Sequence, residues 1–326
     1  GVKVVGRTQL LLVFVMVAAV FLVATGSVLD TGGTLANLRP PFAPDRSAVS
    51  GVLAMVAIMP WMLSGFDTLP QAAEEFAFSP AQAFRLMLLS IALGVILYLT
   101  VLFATSYLMP WPELVAEYPA WATGFATERS LGSIGVAILS VAVLMGIFTG
   151  MNGFFMAASR LMFSMGRAKI LPAWFGRLSP AHGTPSNAIL FAAATSLLAP
   201  WFGRSALLWV VDMSAVGIAI GFLYTCIGAS SLLKTQPQLA PVWGGPGLAV
   251  AGAVVSAGFV ALLLVPGSPA FMAAPSWIAL AGWVVLGIAF YLTRVTDLGG
   301  MSRAELDYLI LGKGRSDTPH GGIVNS

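Results

Sequence analysis

Long apolar stretches separated by short polar segments dominate the pattern of side chains along this chain. A membrane-spanning helix needs about 20 predominantly apolar residues. By that measure the pattern predicts eight membrane-spanning helices, so residues 1–295 are predicted to form an all-α polytopic membrane domain. The predicted spans are 9–29, 50–78 (broken near residue 67), 83–108, 131–165, 185–200, 206–233, 247–265 and 277–292.

The composition leads to the same class of protein. Apolar residues make up 58% of the 326 positions and charged residues only 9%, and the mean hydropathy is +0.90. A soluble domain carries about 25% charged residues, so the lipid bilayer is the predicted surrounding of this chain. The basic residues form no cluster of the kind that binds nucleic acid. The single cysteine, Cys226, excludes a disulfide framework and a cysteine-based metal site.

The distribution of positive charge predicts the orientation. Twelve of the sixteen lysines and arginines fall on the side that holds both ends of the eight-span arrangement. Basic residues favour the cytoplasmic side, so both ends of this chain are predicted to be cytoplasmic, in a cytoplasmic membrane. Residues 296–326 are then a cytoplasmic tail, and its end, 313–326, is predicted to be disordered. The external loop 110–130 suits either a lid helix over a vestibule or an ordinary interfacial helix.

Asp67 is the strongest candidate for a functional residue. An ionisable side chain inside a membrane span is costly and by default marks a functional site. Gly65 weakens the helix beside it, and Pro60 and Pro70 each remove a backbone donor. The sequence therefore predicts a helix that breaks in the membrane, where freed carbonyls can hold an ammonium group or Na⁺. The alternative is a proline kink with a satisfied aspartate.

Other polar positions in the spans have two interpretations each. Asp212, near the start of the sixth span, is either a gate residue or a cap of the helix N-terminus. Thr149 and Asn152 either serve close helix packing or line a site, with the Thr149 hydroxyl as a ligand of a coupling cation. Trp61 either closes over a substrate or lies at an interface. Glu74 and Glu75 are solvated helix-end charges or part of an inner gate.

Three stretches resemble permeases of the amino acid–polyamine–organocation (APC) superfamily. Residues 1–7 resemble the entry to the family's fifth helix, and 65–75 resemble its broken sixth helix. Asn152, Ala158 to Leu161, Arg167, Leu171-Pro172 and Gly183-Thr184-Pro185 resemble the end of the eighth helix and the loop after it. The resemblance implies a partial LeuT-type fold in which the eight spans are helices five to twelve and the first four are absent.

The resemblance also implies roles for single residues. Ser64, Gly65 and Phe66 match the segment that receives the substrate's amino group, and Asp67 matches an acid linked to proton sensing. Met16 replaces a lysine that stands in for sodium in some relatives, and Lys169 stands where a glycine is usual. The substrate-binding candidates are thus Trp61, Ser64, Gly65, Phe66, Asp67 and Asn152; the coupling candidates are Asp67 and Thr149; the gate candidates are Trp61, Glu74, Glu75 and Asp212.

The function predicted on these grounds is secondary active transport of amino acids or related amines by alternating access. Transport would be driven by a gradient of H⁺ or Na⁺ or by exchange of one substrate for another. No other cofactor and no metal site are predicted. The alternative hypotheses are a permease-like amino acid sensor and a truncated fragment that does not transport. No enzymatic activity is predicted, because no nucleophile–base pair can be recognised.

Overall fold

The computed structural model describes residues 2–29, 32–71, 78–117, 120–237, 245–295, 302, 305 and 308, with the backbone alone at 2–5 and 80. Within these ranges the regular structure is helical. The chain divides into two compact units. The first contains Gly1–Leu69, Glu75–Gly153 and Ser214–Phe271, and the second contains Pro70–Glu74, Phe154–Met213 and Met272–Ser326. The predicted tail, 296–326, lies outside the described residues apart from three single positions.

The described α-helices follow the apolar stretches of the sequence. They are α1 (Val2–Leu29), α2 (Ala48–Met62), α3 (Pro80–Leu108), α4 (Trp111–Glu117), α5 (Ala122–Arg167), α6 (Ser186–Leu198), α7 (Ser205–Thr235), α8 (Gly245–Leu264) and α9 (Ala274–Leu292). Short 3₁₀ turns cover Leu35–Leu38, Phe66–Thr68 and Ala199–Phe202. Local sequence sets several ends: Ser79 and Gln82 form a reciprocal capping box at the start of α3, with Pro80 in its first turn.

Seven described helices are long and apolar enough to cross a membrane. The helix-rich fold with these spans is that of an all-α polytopic membrane protein. The segment Ser186–Phe202, which matches the fifth predicted span, is shorter. Its α-helix and 3₁₀ turn together rise about 28 Å. Eight spans therefore stay a prediction at this segment.

Helix α5 begins earlier than the predicted fourth span because a loop helix is joined to it. Gly132 has φ 62° and ψ −160°, so the helical ladder is kinked there, next to the predicted start at residue 131. The residues before the kink, together with α4, occupy the loop interpreted as a lid or an interfacial helix. Leu114 of α4 is 1% exposed and packs with Met109 and Ala126. The residues of this loop therefore pack against one another through a small apolar core.

In the first unit, polar contacts connect the loop between α1 and α2 to the end of α3 and to the segment after it. Helix α1 packs along α3, and α2 packs along α8. The carbonyl of Tyr107, near the end of α3, accepts hydrogen bonds from the backbone N–H of Thr34 and from the side-chain amide of Asn37, both at 3.0 Å. The Trp111 indole donates to the carbonyl of Pro40 at 2.7 Å. The loop between α1 and α2 is thus fixed to the segment that follows α3.

The second unit has an aromatic core and an unusual helix end. Phe175 is fully buried, with ring centroids of Phe191 and Phe290 within 5.8 Å. Helix α5 ends in a Schellman motif, in which the N–H groups of Lys169 and Ile170 donate to the carbonyls of residues 166 and 165. Lys169 has φ 60°, in the left-handed region that favours glycine. This geometry accounts for the glycine that relatives were expected to carry at this position.

Candidate functional site

The break in α2 is built around Gly65. The α-helix ends at Met62, and the chain continues through a 3₁₀ turn, Phe66–Thr68. Gly65 has φ 127° and ψ −40°, a conformation that residues with a side chain rarely adopt. Pro60 lies inside the last turns of the helix and is buried. The interruption occupies the last six residues of a candidate membrane span, Ala48–Thr68, and residues 72–77 of the predicted second span lie outside the described residues.

Local side chains satisfy the backbone at the break. An oxygen of Asp67, Oδ1, accepts a hydrogen bond from the N–H of Gly65 at 2.6 Å. The Thr68 hydroxyl donates to the carbonyl of Gly65 at 2.6 Å, and the Ser64 hydroxyl donates to the carbonyl of Trp61 at 2.8 Å. The second oxygen of Asp67 has no hydrogen-bond partner within the described ranges. The half-buried carboxylate thus shapes the turn through one of its two oxygens.

Two neighbouring helices contact the break within the first unit. The Tyr98 hydroxyl on α3 donates to the carbonyl of Met62 at 2.8 Å. The rings of Phe66 and Phe222, the latter on α7, lie 5.7 Å apart between centroids. The Trp61 side chain is 40% exposed. These contacts bring α3 and α7 to the segment that the resemblance implies for substrate binding.

Gln9 of α1 and two polar residues of α5, Thr149 and Asn152, form a separate cluster, which we call the amide cross-link. The side-chain amide of Gln9 on α1 donates to the carbonyl of Thr149 at 3.1 Å, and its oxygen accepts from the Asn152 amide at 3.1 Å. The Thr149 hydroxyl is nearly buried and donates to the carbonyl of Gly146 at 2.9 Å. Thr149 and Asn152 therefore join two helices of the first unit, and a role of Thr149 in ion binding stays a prediction.

Close packing accompanies the amide cross-link. A methyl group added at Gly146 would lie 3.3 Å from the sulfur of Met16, so the two helices meet at this glycine. Among the described residues, no hydrogen bond links this region of α5 to the break in α2. The substrate-binding candidates of the sequence thus fall into two places in the first unit: the break, with Trp61, Ser64, Gly65, Phe66 and Asp67, and the amide cross-link, with Asn152.

Asp212 belongs to the second unit, and the capping interpretation of this residue is wrong. Helix α7 begins at Ser205, so Asp212 lies about two turns inside the helix, whereas a capping side chain acts within the first turn. Its Oδ2 accepts a hydrogen bond from the hydroxyl of Ser276 on α9 at 2.6 Å. Ser276 is 1% exposed. The aspartate therefore bonds to another helix, and its role as a gate stays a prediction.

The structure gives no contacts for the two remaining predicted site residues. Glu74 and Glu75 lie outside the described residues. Across the described ranges, no group of three or more histidine, cysteine, aspartate or glutamate side chains is placed to hold a metal ion. The sequence analysis did not single out Gln9, Tyr98 or Ser276, since it searched the spans for charge. An uncharged amide or hydroxyl inside an apolar helix is the signal that could have found them.

A span that is interrupted at a glycine beside an aspartate is a feature of helical membrane transporters. The sequence profile of the amino acid permease family matches residues 1–290. The chain therefore belongs to the amino acid permease family, within the superfamily that the sequence resembles.

Three relatives illustrate the range of this similarity. The chain is 26% identical over 254 residues to the methylthioribose transporter of Bacillus subtilis. The aligned region covers 77% of this chain and 52% of that protein. It is 25% identical over 240 residues to the branched-chain amino acid permease BcaP of Lactococcus lactis (72% and 50%). It is 26% identical over 231 residues to the aromatic amino acid transport protein AroP of Corynebacterium glutamicum (67% and 49%). The chain thus spans about half the length of these relatives.

Proposed function

We propose that the protein to which this chain belongs is a secondary active transporter of amino acids or related amines that works by alternating access around the broken α2. The family match and the permeases among its relatives support the substrate class. One relative is named for methylthioribose, which keeps the choice among small metabolites open to assay. We expect no bound cofactor beyond a coupling H⁺ or Na⁺.

The break at Gly65 carries this proposal. Irregular backbone at membrane depth is tolerated where it lines a cavity or is buried in protein. A broken span offers carbonyls to a cation and N–H groups to an anion, which are the two charged groups of an amino acid. The Asp67 carboxylate holds the Gly65 N–H, so the geometry of the break depends on this acid. Its open oxygen supports a part in the coupling step, by taking up a proton or by contacting the cation.

The orientation completes the proposal. We propose that both ends of this chain face the cytoplasm, because most basic residues fall on that side of an eight-span arrangement. This orientation requires Ser186–Phe202 to cross the membrane as well. Labelling of cysteines placed in the loops on either side of that segment, from outside intact cells, measures whether the chain changes sides there.

The experiment that tests the function is uptake of radiolabelled amino acids by the full-length protein in proteoliposomes, at several external pH values. We expect Asp67→Asn to flatten the pH dependence of uptake, because the amide cannot exchange a proton. The control is Asp45→Asn, since Asp45 is exposed in the loop before α2. Unchanged pH dependence in Asp67→Asn removes this residue from the coupling mechanism. Binding without uptake in the wild-type protein refutes transport and favours a sensor.

A further inference from the structure

The end of α2 leaves backbone carbonyls that the helix itself does not satisfy. The last four carbonyls of an α-helix have no intrahelical donor. Here the carbonyl of Met59 accepts from the N–H of Leu63 at 2.9 Å. The carbonyl of Trp61 accepts from the N–H of Ser64 at 3.1 Å and from its hydroxyl at 2.8 Å. The chain immediately after the helix thus supplies the donors for these two carbonyls.

The carbonyl of Met62 receives its donor from another helix. The Tyr98 hydroxyl, on α3, donates to it at 2.8 Å. The other hydrogen bonds of residues 61–69 are made within α2 or within the turn that follows it, including those of Asp67 and Thr68. Within the described ranges, the bond from Tyr98 is therefore the one hydrogen bond that joins the break to a neighbouring helix.

We propose that Tyr98 is a positioning residue of the transport site: its hydroxyl fixes the C-terminal end of α2 against α3 and thereby places the backbone carbonyls at the break. This inference rests on the proposed function, since it assigns Tyr98 to the site where the amino group of the substrate would bind. Where water is scarce, a carbonyl that loses its hydrogen-bond donor is stabilised by moving to a position in which another donor reaches it. Without the hydroxyl, the helix end adopts several positions, and the substrate must select one of them.

The expected effect follows from the strength of one hydrogen bond. A net intramolecular hydrogen bond corresponds to about a twofold to tenfold change in an equilibrium. We expect Tyr98→Phe to raise KM for the transported amino acid within that range, with a smaller change in kcat. The phenyl ring keeps the packing of the side chain, which is 45% exposed, so the variant tests the hydroxyl alone.

The test compares Tyr98→Phe with Tyr224→Phe in the full-length protein. Tyr224 on α7 is 70% exposed, and its hydroxyl makes no hydrogen bond to the described residues, so it is the matched control. KM and kcat are measured by uptake in proteoliposomes. Hydrogen–deuterium exchange of peptides that cover residues 60–69 is measured on the same preparations, without substrate. We expect Tyr98→Phe to raise both KM and exchange at the break, and Tyr224→Phe to change neither.

Two outcomes overturn the inference. Unchanged exchange shows that the hydroxyl does not fix the helix end, even if KM changes. Raised exchange with an unchanged KM shows that the fixed end does not position the substrate. A wild-type protein that shows no uptake refutes the proposed function, and the exchange measurement then still decides whether Tyr98 holds the break.

Discussion

Replacing Gln9 by alanine removes two hydrogen bonds between α1 and α5, both of 3.1 Å, whereas Asn152→Ala removes one of them. Hydrogen bonds between membrane helices contribute about 0.6 kcal/mol on average. We therefore expect Gln9→Ala to lower the free energy of unfolding by about 1.2 kcal/mol and Asn152→Ala by about 0.6 kcal/mol. The double variant should resemble Gln9→Ala, which corresponds to a coupling of about 0.6 kcal/mol.

The assay is reversible unfolding of the full-length protein in mixed micelles with an increasing fraction of denaturing detergent. The control is Thr8→Ala, alone and combined with Asn152→Ala. Thr8 is the neighbour of Gln9, is exposed, and makes no side-chain hydrogen bond within the described ranges. Its effect should add to that of Asn152→Ala. If the losses in free energy of unfolding caused by Gln9→Ala and Asn152→Ala also add in the double variant, the amide cross-link does not exist in the membrane protein.

Two further variants test the second unit by the same unfolding assay. Lys169→Gly should raise the free energy of unfolding by about 1 kcal/mol, because a left-handed conformation costs a residue with a side chain about that much; a lower stability would contradict the Schellman geometry. Ser276→Ala should lower it by about 1.5 kcal/mol, the value expected for a buried hydroxyl that donates to a carboxylate. An equal loss when Asp212 is already alanine would show that the two side chains do not interact.

The break in α2 shows how far sequence reasoning reaches at one site. A glycine, an acid and prolines in one apolar span predicted an interruption near Asp67, and the structure ends the α-helix at Met62. Helix propensity identifies the segment in which the helix is easily interrupted. The position of the last helical turn, however, depends on which hydrogen-bond donors reach the freed carbonyls. One such donor is Tyr98, 36 residues further along the chain. No local pattern contains that contact.

The positions that the sequence analysis missed or misread share one physical cause. Gln9 carries no charge, so a search for costly ionisable groups passes over it, although an amide in lipid also costs free energy unless it is hydrogen-bonded. For Asp212, the capping alternative was considered because carboxylates are favourable at a helix N-terminus. Its true partner, Ser276, lies on α9, 64 residues away in the chain. Pairing between distant helices is a property of the packed fold and is not encoded in local spacing.

Helix α5, which carries part of the amide cross-link, is longer than the hydrocarbon core of a bilayer is thick. The 35 residues after the kink at Gly132 rise about 52 Å, while the hydrocarbon core is about 30 Å thick. Even at a tilt of about 40° the helix projects about 10 Å beyond the core. Thr149 and Asn152 lie about 26 and 30 Å along the helix from this kink, so the amide cross-link is in the middle part of α5. The two hydrogen bonds of Gln9 therefore hold α1 to the central part of a helix that is longer than the hydrocarbon core.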